Sequence, residues 1–363
     1  MPSAGPKFEQ AAMFSDRLTK RPTLPVLDDQ SDIRYFGTRA RTILNRPEAT
    51  GMDFWSINPY IGCALGCAYC YARYAHGYAF ERAAVANPDR IDINRDYRGM
   101  IPWLAFERRI LVKENAAETL RKTLRQGSQR HAALMQGETI TIGTATDPYQ
   151  PAERRFRITR SILEVLAEHP SLTIRIITKS PLVTRDVDVM RRIVRHSDLK
   201  ITVSLISTDR DLARRIEPRA PTPDARLRAI RRLRESGIDV CVNVMPVLPG
   251  ITDAPAQLDQ LVKDIAAAGA RHIYAGALHL RAAARKRYFP FIASEFPHLL
   301  RRYEATYGGS AFAGESYRAG LRQVMGRLCE RHNISFGHFD DESDEALGPE
   351  ALHQLELPFA STD

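Results

Sequence analysis

The chain has 363 residues, 44% of them hydrophobic and 26% charged, with a formal charge of +9. This composition excludes a disordered or fibrous chain, and no apolar run approaches the ~20 residues of a membrane span. Only five cysteines are present, three of them between residues 63 and 70. That is not the spread pattern of a secreted disulfide framework, and the N-terminus lacks a secretory signal, so a cytoplasmic location away from membranes is expected. The basic excess favours polyanionic partners, nucleic acid among them. A competing explanation is a solvated helix face, since Arg226, Arg228, Arg231, Arg232 and Arg234 crowd one predicted helix.

In chain order, residues 1–50 are polar, carry Pro2, Pro6, Pro22, Pro25 and Pro47, and show no long apolar period. They read as a loose N-terminal arm draped over the core. A short strand is expected near 53–58, just before the cysteine run. Residues 101–126 read as an inserted strand and helix, with Ile110, Leu111 and Val112 at the strand. From there, runs rich in β-branched residues alternate with helical patterns. Strands are expected at 138–145, 172–178, 200–206, 239–245 and 272–278, and helices at 153–168, 185–195, 222–236, 254–268 and 281–304. Residues 301–363 form a C-terminal helical extension ending in an acidic tail, with Asp340, Asp341, Glu342, Asp344 and Glu345 close together. The core domain is then 51–300.

Repeated strand-then-helix order calls for parallel strands and an α/β fold, either a doubly wound sheet or a whole or partial barrel. In both, chemistry gathers where strands end and helices begin. The unusual residues of this chain fall there.

Cys63, Cys67 and Cys70 offer three thiolates on one tight loop, the preferred ligands of iron–sulfur clusters and of zinc. A closed zinc site or a fully ligated cluster wants four ligands, and no fourth cysteine is near. Three cysteines on a four-iron cluster leave one iron open for chemistry. Alternatives are zinc completed by a ligand such as His76, which would suit a non-catalytic nucleic-acid-binding protein with a structural metal, or three buried cysteines without metal.

The spacing Cys63-x3-Cys67-x2-Cys70, with Tyr69 before the last cysteine, resembles the signature of the radical S-adenosylmethionine (SAM) superfamily. The resemblance implies a partial (β/α)6 TIM-like barrel with N- and C-terminal extensions, a [4Fe–4S] cluster, SAM as cofactor and a flavodoxin- or ferredoxin-like electron donor. It implies reductive cleavage of SAM to a 5′-deoxyadenosyl radical that abstracts hydrogen from a substrate. Asn58 to Cys63, Cys70 to Arg73 and Thr144 to Glu153 further resemble the branch related to spore photoproduct lyase, which points to nucleic acid as substrate. That lyase uses a hydrogen-donating cysteine near the second-strand motif, where this chain reads Thr144-Ala145-Thr146, so its particular reaction is not carried over.

By the same resemblance Thr144, Thr146 and Asp147 meet the methionine amino group, the alternative for Asp147 and the threonines being helix N-capping. Lys179 would pair with a carboxylate or other anion, Ser204 would touch the ribose, and the turn at Pro246 would line the adenine pocket. A solvated lysine, an ordinary strand serine and a structural turn are the competing readings. His279 and Arg281 follow the last strand as pocket or surface residues. Cys241 and Cys329 read as small buried hydrophobes.

Overall fold

The computed structural model describes residues 32–125 and 129–337. The expectations for residues 1–31 and for the acidic tail at 339–363 lie outside the described residues.

Eleven strands are present among them: β1 Arg34–Thr38, β2 Leu44–Asn45, β3 Trp55–Ile57, β4 Tyr60–Ile61, β5 Arg109–Lys113, β6 Thr139–Ile142, β7 Thr173–Thr178, β8 Asp198–Ser204, β9 Asp239–Val247, β10 His272–Ala277 and β11 Ser335–Gly337. Eight form one sheet in the order β11-β10-β9-β8-β7-β6-β3-β2. The run from β3 to β11 is parallel throughout, and only β2 enters antiparallel. Parallel neighbours need long crossovers, and helices fill them. The six strands β3 and β6 to β10, each followed by helix, match the partial barrel.

Side-chain alternation explains the two faces of this sheet. On β9, Val240, Val242 and Val244 are fully buried in the main core, while Asp239, Cys241 and Asn243 point to the opposite side. On β8, Leu199, Ile201 and Val203 do the same against Lys200, Thr202 and Ser204. The registers place Thr202, Cys241 and His272 in one row and Ser204, Asn243 and Tyr274 in the next. The inner face is therefore polar. The helices match the apolar outer face: Pro255–Ala267 buries Leu258, Leu261, Val262 and Ile265 at helical spacing, with its proline at the tolerated first position. Each such side chain contributes about 1.5–3 kcal/mol when fully buried.

The helices are more broken than their apolar patterns predict. Residues 153–168 split at Arg157, whose φ of 53° stops Pro151–Phe156 and starts Ile158–Leu166. Residues 281–304 split at Phe296 and Pro297. The strand expected to end at Met245 runs on through a cis Met245–Pro246 bond to Val247.

Residues 34–45, expected in a loose arm, are built into the fold. β1 pairs parallel to β5, which pairs antiparallel to β4. This small sheet and the helix Arg73–Ala86 enclose a second core of Phe36, Phe80, Ala83, Ala84, Ile91, Tyr97, Ala105 and Leu111. Since β4 enters the cysteine loop and that helix leaves it, the second core holds both stems of the loop.

Candidate functional site

The loop from Gly62 to Ala72 leaves β4 and runs across the C-terminal ends of the barrel strands. Gly62 has φ +86°, and a Cβ there would stand 2.7 Å from the Phe106 carbonyl oxygen. Only glycine makes this entry. Gly66, at φ +68°, turns the loop again against Arg219 and Glu107.

Four loop carbonyls have fixed donors. Gly62 O accepts from Thr146 Oγ1 (2.6 Å) and Gln150 Nε2 (3.0 Å). Ala64 O accepts from Arg219 Nε (2.6 Å), and Leu65 O from the Arg219 backbone N–H (3.2 Å). Cys67 O accepts from Arg73 Nη2 (2.9 Å). On the donor side, the N–H of Cys63 reaches Phe106 O (2.9 Å), that of Ala64 reaches Gln150 Oε1 (2.9 Å), and that of Ala68 reaches Ile216 O (3.0 Å). These bonds hold the loop backbone at both ends and in its middle, and leave the thiols to be presented.

Cys63, Cys67 and Cys70 are free of disulfides, the first two buried and the third half-buried. Burial, then the nearby charges of Asp147 and Cys70, pushes the Cys63 thiol up to about 12, and burial also raises Cys67 and Cys70. Without metal all three are neutral thiols. Metal binding must displace their protons, which ties affinity to pH. Among the described residues no three His, Cys, Asp or Glu side chains are grouped around a single ion. Three soft sulfur donors along a loop suit a multi-iron cluster, whose irons are ligated at separate corners. The His76 ring lies between Phe80 of the second core and Phe106 of the main core, both nitrogens buried and unpartnered, and burial lowers it to about 3.

The candidate residues at the strand ends gather against this loop. Asp147 is fully engaged: Oδ1 accepts from Tyr149 N–H (2.8 Å) and Thr178 Oγ1 (2.7 Å), and Oδ2 from Lys179 N–H (2.7 Å). It latches the ends of β6 and β7 together. It caps no helix, for Pro151–Phe156 starts at Gln150 without a side-chain cap. Thr146 ties to the loop through Gly62, and Thr144 Oγ1 accepts from Asn58 Nδ2 (3.1 Å), while its carbonyl takes the Tyr71 hydroxyl. Lys179 is not a solvated loop lysine. Its ammonium lies 3.6 Å from Glu217 and 5.7 Å from the centroid of the Tyr69 ring.

Glu217 is the hub that the sequence analysis missed. It is buried, accepts from the Tyr69 hydroxyl and from Arg226 Nη2, and faces Lys179. Burial pushes its carboxyl up, but Arg226, Lys179 and these hydrogen bonds outweigh burial and hold it below the usual range. Arg226 is correspondingly no surface arginine: it is 1% exposed and also donates to Ser204 O (3.0 Å) and Pro221 O (2.9 Å). Thus Tyr69 on the loop is wired to β8 through two buried charges. A local signal existed, since Glu217 and Arg219 sit in a turn rigidified by Pro218 and Pro221.

Deeper on the inner face, Ser204 and Asn243 are adjacent in register, and Asn243 Oδ1 is buried without a partner. Pro246 lies above them on β9. Cys241 is buried in the row of Thr202 and His272, away from the thiol loop, and Cys329 is buried in the helix Glu315–Arg331. Around the mouth, Tyr71, Tyr74 and Phe312 are exposed; Arg281 lies over Tyr74, and His279 stacks on Phe312 at 4.3 Å.

A family model described as the radical SAM superfamily matches residues 57–265. Uncharacterized proteins of Mycobacterium tuberculosis and Mycobacterium bovis are each 34% identical over 321 residues, 87% of this chain and 87% of theirs. An uncharacterized protein of Methanocaldococcus jannaschii is 26% identical over 226 residues, 61% of this chain and 71% of its own. Among solved structures, spore photoproduct lyase with bound AdoMet and dinucleoside spore photoproduct superposes with a TM-score of 0.59 at 15% identity, over 91% of this chain and 93% of that one. At that identity the likeness is one of fold.

Proposed function

The chain belongs to the radical SAM superfamily, and from that premise we propose that Cys63, Cys67 and Cys70 hold its [4Fe–4S] cluster at the barrel mouth. The family's enzymes use this cluster and SAM and require a reductant. When bound, they supply a 5′-deoxyadenosyl radical that takes a hydrogen atom from a substrate. The observation that carries the assignment is the loop itself: hydrogen bonds to Gly62, Ala64, Leu65 and Cys67 carbonyls hold its backbone, three free thiols are left as ligands, and three is the number that keeps one iron open.

Around that open position, Thr144, Thr146, Asp147 and Lys179 would hold the amino and carboxylate ends of SAM. Tyr69 and Glu217 keep Lys179 in place. Ser204 would meet the ribose, and the buried, unpartnered Asn243 Oδ1 beside it supports a hydroxyl-bearing ligand here. Pro246 would contact the adenine. The protein's part is to orient SAM and substrate and to exclude water.

For the substrate we favour nucleic acid. The +9 charge and the exposed Tyr71, Tyr74 and Phe312, with Arg281 over Tyr74 and Arg318 over Phe312, combine stacking surface with cations, as nucleobase-binding sites do. The electron donor would be a small flavodoxin- or ferredoxin-like protein. Among the described residues no helix is long and apolar enough to cross a membrane.

The test is anaerobic purification, iron and sulfide analysis, and dithionite-driven release of 5′-deoxyadenosine from SAM. Four irons and release are expected, both abolished by Cys67→Ala. Colourless protein with stoichiometric zinc overturns the assignment. Binding to single-stranded DNA should weaken steeply with salt; a flat response removes the polyanion.

A further inference from the structure

Arg73, three residues beyond Cys70, opens the helix Arg73–Ala86, and its side chain is wholly buried. Nη1 donates to Trp103 O (3.0 Å) and Nη2 to Cys67 O (2.9 Å), so the guanidinium lies against the backbone between the second and third cysteines. Its Nε–H is shut off from water and has no partner. Its carboxylate is Glu107, at 3.6 Å, but Glu107 is shared: Arg219 binds it at 2.6 Å and Arg287 stands 3.8 Å away. One carboxylate faces three guanidiniums.

The other side of the loop repeats the imbalance, with Glu217 facing both Arg226 and Lys179. Asp147, near Cys63, adds one more carboxylate. The surroundings of the three sulfurs therefore hold five cations and three carboxylates, largely out of water. An uncompensated buried cation is unfavourable unless a negative group completes it. Three thiolates and a cluster that takes up an electron are such a group. A cluster's potential follows its net charge, the hydrogen bonds around it and its burial.

We propose that Arg73 is a positioning residue that sets the reduction potential of the cluster at Cys63, Cys67 and Cys70, its buried positive charge favouring the reduced, more negative state. Glu107 acts in the opposite direction, screening that charge. The inference rests on the cluster assignment above.

The experiment is a redox titration of the anaerobically purified holoenzyme, followed by the electron paramagnetic resonance of the reduced cluster, with iron and sulfide counted in each sample. Arg73→Gln removes the charge and keeps an N–H donor for Cys67 O. It should shift the potential downward, by about a tenfold fall in the reduced-to-oxidised ratio at fixed poise, ~59 mV for one electron. Glu107→Gln removes the screening carboxylate and should shift it upward. Arg73→Lys should restore most of the wild-type value. A merely structural role would loosen the loop in both variants and shift neither potential in opposite senses.

Opposite shifts with iron retained support the proposal; no shift, or shifts of the same sign, overturn it. If Arg73→Gln loses its iron, the Glu107→Gln titration decides: an upward shift supports it, no shift or a downward one overturns it. Loss of iron from both variants marks a structural pin and overturns it too. Wild-type protein without iron is a different failure, that of the cluster assignment itself.

Discussion

Replacing Glu217 with glutamine leaves the buried Arg226 facing a neutral amide while the Tyr69 hydroxyl keeps an acceptor. Breaking a buried ion pair from one side destabilises by about 3–5 kcal/mol, because the remaining charge is stranded. Lys179, 14% exposed at its side chain, can turn part of its charge to water, so the lower part of that range is expected. Against a total stability of about 5–15 kcal/mol this is a large fraction. Tyr69→Phe, which removes one hydrogen bond to a charged group, should destabilise less, by about 1.5–3 kcal/mol. Adding Arg226→Met to Glu217→Gln removes the stranded charge and should recover at least half of the loss. The assay is urea unfolding of anaerobically purified protein followed by tryptophan fluorescence, with iron counted at each stage. A loss below about 1 kcal/mol for Glu217→Gln, or a double variant less stable than the single by the full Arg226→Met effect, refutes the hub.

Other expectations are narrower. Gly62→Ala should give protein with at most a small fraction of the wild-type iron, because φ +86° and a Cβ 2.7 Å from Phe106 O leave an alanine no position; iron analysis at wild-type level would contradict this. His76, held at about 3 against its ordinary 6.5 chiefly by burial, takes up a proton far more readily when unfolded. Its contribution is thus full above pH 6.5 and is lost as pH falls toward 3, by about 2 kcal/mol between pH 7 and pH 5. His76→Phe should flatten the pH dependence of the unfolding free energy by that amount, and an unchanged slope would place the ring in water.

The barrel strands were legible because their β-branched residues repeat locally. Thr173–Thr178 and His272–Ala277 fall within one residue of their expected limits. β1 was not legible. Its residues Arg34, Gly37 and Thr38 carry no apolar period, and it exists because β5, about 75 residues on, offers a parallel edge. The cysteine loop announced itself by spacing and resemblance, but its supports did not. Arg226 reads in sequence like Arg228 or Arg231, and only the tertiary placement of Glu217 makes it a buried residue. Apolar periodicity reports what one element does alone, whereas a buried charge is decided by its partner. The same holds for Glu107, which lies in the stretch read simply as an inserted strand and helix, and for Asp147, whose carboxylate joins two strand ends instead of starting a helix.

The two ends of the large sheet are closed by very short strands, β2 with two residues and β11 with three. Each lies along a neighbour whose amides and carbonyls would otherwise be open to another molecule, an arrangement that guards against edge-to-edge aggregation. Neither strand falls within the matched family segment 57–265. A chain trimmed to that segment would lose β10 as well and leave β9, a nine-residue strand with three valines on its helix-facing side, as a free edge. Such a fragment would form filaments or inclusion bodies, so fragments for binding experiments should extend from before β1 to beyond Gly337.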